Sequence, residues 1–214
     1  MHHVPDLASC MQRIAAAGLS AGTSGNASAR TPEGMLITPS GVEPARLHAG
    51  SQVHMRLDGT VIDGALEPSS EWRMHAAIYA AHRDAGAIVH CHSRHATALA
   101  CCSRDIPAFH YMVAVAGGDS IRCAPYALFG SEELARHAVA ALENRRACLL
   151  GNHGQIATGR TIDAALSLAI EVEELAAQYL LALSAGTPRI LDVQEMADVL
   201  QRFAGYGQPR DRSD

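Results

Sequence analysis

The chain has 214 residues, 48% of them hydrophobic and 18% charged, with a formal net charge of −5. That length and apolar fraction suit a single globular domain over 1–214 with a substantial core, and they exclude a fibrous or disordered chain. Negative charge without a block of basic residues leaves no positive face for a phosphate backbone, so nucleic acid is excluded as a partner.

Taken in order, Pro5 to Gly18 carries Leu7, Met11, Ile14 and Ala15 at helical spacing, with Gly18 as a stop. Gly22 to Asn26 is too rich in glycine and small polar residues for an element interior and reads as a loop. A strand is expected from Gly34 to Thr38, followed by the turn Pro39-Ser40-Gly41. Gln52 to Leu57 and Thr60 to Ile62 flank Asp58-Gly59 and predict a hairpin. A helix is expected to start near Ser69 or Ser70, with Glu71 in its first turn. Ala87 to His90 reads as a short buried strand and Ser93 to Cys102 as a helix. Further on, a strand is expected near Ile121 to Ala124, a helix from Ser131 to Leu142, and a strand from Ala147 to Leu150. A long helix from Ile162 to about Ser184 and a closing segment from Asp192 to Phe203 complete the chain, with no internal repeat.

The longest apolar stretch, around Ala164 to Leu183, is interrupted by Glu171, Glu173 and Glu174, so no membrane span is expected. Six cysteines at 10, 91, 101, 102, 123 and 148 lack the spacing of a disulfide framework, which makes a reducing cytoplasm the simpler reading. No CxxC pair occurs either, so a metal has to use histidine and carboxylate.

Residues i and i+2 of a strand point the same way, so His90 and His92 present two imidazoles to one ion. His153 follows a second apolar strand between Gly151 and Gly154 and supplies a natural third ligand. Three histidines with one open position match catalytic zinc, although manganese and cobalt share imidazole ligands. Glu71 has the chemistry of a ligand, a general base, or both in succession. His75, His82, His95, His110 and His137 read as structural. Ser69 and Ser70 place hydroxyls and N–H groups at a helix N-terminus that favours an anion. With Gly25-Asn26 and Ser40-Gly41 they form three small-residue loops able to enclose a phosphate, and the absence of GxxxxGK[ST] and GxGxxG argues against a nucleotide.

Seven ordered segments carry a resemblance that runs almost end to end: GTSGNASAR at 22–30, GMLITPSG at 34–41, LEPSSEWRMH at 66–75, HCHSRHATA at 90–98, IPAFHYM at 106–112, CAPYALFG at 123–130 and NHG at 152–154. The chain resembles the class II aldolase and adducin-head superfamily, most of all its L-fuculose-1-phosphate aldolase branch. The resemblance implies an α/β fold, a central, mainly antiparallel sheet between helical layers, and a homotetramer with active sites at subunit interfaces. It implies that His90, His92 and His153 hold zinc, and that Glu71 is a fourth ligand that swings away to act as acid/base. Gly25, Asn26, Ser40, Gly41, Ser69 and Ser70 are implied to bind the substrate phosphate and adjacent hydroxyls, and Thr23 to orient the aldehyde fragment. Tyr111, from a neighbouring subunit, is implied in proton exchange with the aldehyde oxygen, while Phe129 and Tyr206 match positions at the aldehyde end.

The implied activity is metal-dependent cleavage of a ketose 1-phosphate between C3 and C4, giving dihydroxyacetone phosphate and an aldehyde. Fuculose, 5-deoxyribulose and 5-methylthioribulose 1-phosphates are the candidate substrates. All 17 basic residues are arginine, so a lysine Schiff base is impossible. Alternatives within the superfamily are a ribulose-phosphate 4-epimerase and a methylthioribulose-phosphate dehydratase. The epimerases need an aspartate before the double glycine, and Pro107 to Gly118 contains no acid. A nonenzymatic adducin-like module is the alternative of a different class, and retention of every ligand position argues against it.

Overall fold

The computed structural model describes residues 6–204. Its centre is an eight-stranded sheet: β1 (Asn26–Thr31), β2 (Gly34–Ile37), β3 (Val53–Met55), β4 (Val61–Asp63), β5 (Ala87–Cys91), β6 (Cys123–Ala124), β7 (Ala147–Leu150) and β8 (Gly154–Gly159). The strand order is β4-β3-β2-β1-β5-β8-β7-β6. Every neighbouring pair is antiparallel except β6 with β7, so the expected mainly antiparallel sheet is present as a mixed sheet.

Six helices flank it: α1 (Leu7–Ala16), α2 (Trp72–Ala81), α3 (Arg94–Cys101), α4 (Glu132–Ala141), α5 (Ile162–Ala185) and α6 (Val193–Ala204). Their starts follow from local chemistry. Asp6, Ser131 and Thr161 each accept a backbone N–H three residues on, at 2.9, 3.1 and 3.2 Å, as N-caps of α1, α4 and α5.

The sheet separates two cores because its strands alternate. On β5, Ala87, Val89 and Cys91 pack with α1, α3 and α5, while Ile88 packs with α2 and α4. On β7, Ala147 and Leu149 face the first core and Cys148 and Leu150 the second. The helical layers predicted from the resemblance are therefore these two groups. Where α6 lies against the 3₁₀ segment Tyr111–Ala116, a third, smaller cluster forms around Ala108, Ala114 and Met196.

Three expectations need correction. The segment read as a loop up to Asn26 gives way there to β1, an unannounced strand with the small Ala27 and Ala29 in the first core and polar residues on its other face. Asn26, Ser28 and Arg30 face α2, and Arg30 donates to the carbonyls of Tyr79, His82 and Ala85 at 2.7, 2.9 and 2.8 Å, closing the C-terminus of that helix. β8, between two glycines, was also unannounced. The helix expected near Ser69 begins at Trp72, with Glu71 as N-cap. Pro68 bridges Pro39, and Ser69 N donates to the Thr38 carbonyl at 3.0 Å, so the Ser-Ser segment is committed to strand-like pairing and the helix starts only beyond it.

Glu173, one of the acids interrupting the apolar stretch of α5, accepts the backbone N–H groups of His95 and Ala96 and a 2.7 Å bond from His95 Nδ1. A carboxylate from α5 thus caps α3, directly after the His90/His92 segment. Burial raises its pKa, but the Ala96 and His95 donors outweigh this and hold it below the ordinary 4.5. A folded-state pKa below the unfolded value means stability that is complete above pH 4.5 and is lost as pH falls through the lower, folded value. Glu173→Gln is expected to cost about 1 kcal/mol at pH 7, with the gap to the unsubstituted protein constant above pH 5 or so and narrowing in acid. Urea unfolding at several pH values measures it.

Candidate active site

Strand pairing starts the site. Asn26 opens β1 directly opposite His90 near the end of β5. His90 shares the α2/α4 side of the sheet with Ile88, and His92 follows two residues on, just past the strand. β7 and β8 turn back at Gly151–His153, bringing His153 to the same end, while Glu71 arrives at the N-cap of α2. Two glycines make the approach possible. A Cβ on Gly154 would stand 2.5 Å from the Cys91 carbonyl and 3.0 Å from the His92 ring. A Cβ on Gly25 would meet the His90 carbonyl at 2.8 Å, and its φ of +82° suits glycine as well.

The result is a cluster in which one ligand atom from each of Glu71, His90, His92 and His153 lies within 4.8 Å of all the others. The three imidazole centroids are 4.7 to 4.8 Å apart. His90 Nδ1 donates to the Gln155 carbonyl at 2.8 Å, which fixes the ring with its Nε2 facing the cluster. That Nε2 is 2.9 Å from His92 Nε2 and 3.1 Å from Glu71 Oε2, and His153 Nε2 is 3.3 Å from Glu71 Oε1. Gln155 is in turn held by Nε2–H bonds to Ser93 Oγ and the Ala169 carbonyl, at 2.7 and 3.0 Å.

Electrostatics prepare these groups for a cation. Burial lowers His92 and His153 to about 4, with the charge of His90 adding to it, so both rings are neutral with available lone pairs at pH 7. Burial would raise Glu71, but His90, His153 and the Asn26 amide hold its carboxyl well below the usual range. Burial would lower His90, and Glu71 beside it raises it instead. Glu71 Oε1 is buried without a hydrogen-bond donor, and the Nε2 atoms of His90 and His92 converge to 2.9 Å. Nitrogen and oxygen donors converging in this way, one oxygen unsatisfied, fit a divalent metal ion.

Beside the cluster lies a cleft of about 340 Å³. Its lining includes Thr23, Gly25, Asn26, Ser40, Gly41, Ser69, Ser70, Glu71, His92, His153 and Phe129, so the three small-residue loops and most of the expected site residues meet there. The Pro39–Pro68 bridge is what joins the Ser40 loop to the Ser69 loop, reinforced by Ser40 N donating to the Glu67 carbonyl at 3.0 Å. Tyr126 and Asn152, which sequence reasoning did not assign, also line it. Tyr111 does not: it is 51% exposed at the start of the 3₁₀ segment, stacked on His110 and tilted against Phe203. Tyr206 lies outside the described residues. A wider groove of about 1500 Å³ runs elsewhere past Arg145, Arg160 and Leu200, away from the histidine cluster.

Residues 5–180 match the family model described as Class II Aldolase and Adducin N-terminal domain. The chain belongs to that family. It is 52% identical over 196 residues to a 5-methylthioribulose-1-phosphate/5-deoxyribulose-1-phosphate aldolase of Rhodospirillum rubrum, covering 92% of this chain and 88% of the relative. It is 49% identical over 191 residues to the L-fuculose phosphate aldolase of Escherichia coli K12, covering 89% and 88%. A solved L-fuculose 1-phosphate aldolase superposes with a TM-score of 0.89 at 40% identity, covering 92% of this chain and 94% of that one. With such relatives this family member is an enzyme, a lyase of the class II aldolase type.

Proposed function

We propose that the protein cleaves a ketose 1-phosphate between C3 and C4 to dihydroxyacetone phosphate and an aldehyde. The observation that carries the reading is the convergence of Glu71, His90, His92 and His153 within 4.8 Å at the wall of a cleft lined by three phosphate-sized small-residue loops. These four residues would hold the divalent ion, zinc in our reading. When bound, the ion supplies positive charge against the negative charge that develops as the C3–C4 bond breaks.

The chain's own groups do the rest. Gly25, Asn26, Ser40, Gly41, Ser69 and Ser70 receive the phosphate and neighbouring hydroxyls through N–H and O–H groups, and no arginine is part of the cleft lining among the described residues. Thr23 orients the aldehyde fragment from the mouth of the same cleft. Glu71, a carboxylate next to the ion site, takes the C3 proton of dihydroxyacetone phosphate in condensation and returns it in cleavage. Tyr111 takes the C4 hydroxyl proton. Its exposure, away from the cleft of its own chain, suits action on a neighbouring subunit's cleft in a homotetramer. We read the protein as cytoplasmic; among the described residues no helix is long and apolar enough to cross a membrane, and the six cysteines are unpaired.

In our reading Phe129 marks the aldehyde end. Tyr126, Ala127 and Phe129 line it, with Tyr126 and Phe129 61% and 62% exposed at the rim. A methyl or thioether tail gains from covering the faces of these rings, a gain that a hydroxyl in the same place does not make. In a coupled assay for dihydroxyacetone phosphate, 5-methylthioribulose and 5-deoxyribulose 1-phosphates are expected to exceed ribulose 1-phosphate in kcat/KM by about tenfold or more. Release of no dihydroxyacetone phosphate from any of these or from fuculose 1-phosphate would overturn the reading, and a 4-epimer as product would replace it.

A further inference from the structure

Behind Glu71 a line of buried side chains runs between β1 and α2, and it has a direction. Asn26 Nδ2 is 2.9 Å from Glu71 Oε2, and Asn26 Oδ1 is 2.6 Å from His75 Nε2. His75 Nδ1 is 2.7 Å from Ser28 Oγ, which is 2.8 Å from the Tyr79 hydroxyl. Asn26, Ser28, His75 and Tyr79 are all buried.

Chemistry orients every link. A carboxylate only accepts, so the Asn26 amide must turn its NH₂ to Glu71 and its carbonyl oxygen to His75. That oxygen only accepts, so His75 Nε2 must carry a proton. Burial above all, with the neighbouring His90 adding to it, pushes the ring's pKa down to about 3, so it carries one proton and Nδ1 is an acceptor. Ser28 then donates to Nδ1 and receives the Tyr79 O–H. Reversing the amide would set two lone-pair oxygens, Asn26 Oδ1 and Glu71 Oε2, against each other at the 2.9 Å contact.

We propose that His75 is a positioning residue, whose Nε2–H fixes the amide of Asn26 in the one orientation that gives Glu71 Oε2 a hydrogen-bond donor and so holds the acid/base carboxylate against the metal site. Asn26 is also a lining residue of the cleft, so this line of contacts lies beside the region that receives substrate. Glu71 is the mobile participant of the proposed reaction, and this line gives its metal-facing position a fixed anchor. Packing alone would not need the alternation of donor and acceptor along all four contacts.

The inference rests on the aldolase reading for its kinetic consequence, and on the buried line alone for its structural one. Three measurements test it. In wild-type protein labelled with ¹⁵N-histidine, the His75 signal, assigned by its loss in His75→Gln, is expected to be the neutral Nε2–H tautomer; the Nδ1–H tautomer overturns the proposal whether or not any other variant folds. In cobalt-loaded protein, His75→Leu is expected to change the visible ligand-field spectrum and weaken cobalt binding about 10- to 100-fold, while His75→Gln, which keeps an N–H near the same place, restores both toward wild type. Unchanged cobalt spectrum and affinity in His75→Leu overturn it. Exchange of the C3 hydrogen of dihydroxyacetone phosphate in D₂O is expected to slow about 10- to 100-fold in His75→Leu and to recover in His75→Gln. Wild-type exchange in His75→Leu overturns the role of His75. Absence of exchange in the wild-type holoenzyme overturns the aldolase reading instead.

Discussion

Removing the metal, by chelation or by His153→Ala, is expected to lower dihydroxyacetone phosphate release by at least about 10³-fold. The magnitude follows from what remains in the cleft. A bound divalent ion contributes several kcal/mol of charge stabilisation at an oxygen, and each 1.36 kcal/mol is about tenfold in rate. Among the described residues no lysine or arginine of the cleft lining replaces it: all 17 Lys/Arg positions are arginine, and the lining contains none of them. An amine route through a Schiff base is closed, so borohydride in the presence of substrate should trap no covalent adduct. His153 is the informative choice because it sits on the β7–β8 turn at intermediate burial, where truncation spares both cores. Adding zinc, manganese or cobalt back to stripped wild-type protein should restore turnover to different degrees, and His153→Ala should bind each more weakly. Full turnover in thoroughly chelated protein would remove the metal from the reaction.

Glu71→Gln is expected to keep the fold and lose about 10²- to 10⁴-fold in kcat. The amide has nearly the shape of the carboxylate and leaves the three imidazoles in place, but it has no basic oxygen to take the C3 proton. Retained metal, measured per chain, would show that the loss lies in proton transfer; hydrogen exchange at C3 of dihydroxyacetone phosphate should fall in parallel. Exchange at the wild-type rate would take the acid/base role from Glu71. The same variant tests the place of Tyr111. If each cleft uses Glu71 from one chain and Tyr111 from the next, mixing Glu71→Gln chains with Tyr111→Phe chains should produce some interfaces carrying both native groups, and activity should exceed that of either parent. No recovery after verified subunit exchange would place Tyr111 outside the neighbouring site.

Much of the fold was legible where burial coincided with a regular period. Ala147–Leu150 is a strand with the expected bounds, and α5 over Ile162–Ala185 runs as its apolar pattern implies. The pairing of two cluster histidines was legible as well, because the i, i+2 rule needs no partner strand to place His90 and His92 together. β1 was not. On one face Asn26, Ser28 and Arg30 are polar, each satisfied by a group 45 or more residues away, and on the other only the small Ala27 and Ala29 reach the core, so the apolar periodicity is weak. Gly154–Gly159 was hidden by its terminal glycines and a buried Gln155 whose partners lie on β5's exit and α5. Ser69 and Ser70 looked like a helix start because capping chemistry is local, whereas the bridge to Pro39 that delays the helix is not. His75 looked structural for the same reason: a histidine among helical residues carries no sign of what it faces.

The sequence by itself determined which residue types could gather around an ion, the exclusion of a lysine mechanism, and most of the helices, all of which depend on residue identity and short-range spacing; the layered architecture came through the family resemblance. Only the tertiary structure decided which loops share one cleft, that Glu71 Oε1 is buried and unsatisfied, and that Asn26 and His75 stand behind the carboxylate. Those facts depend on pairing across the sheet, where one register step would turn Asn26 to the face opposite His90. Register is a property of two strands together, and neither one's sequence contains it.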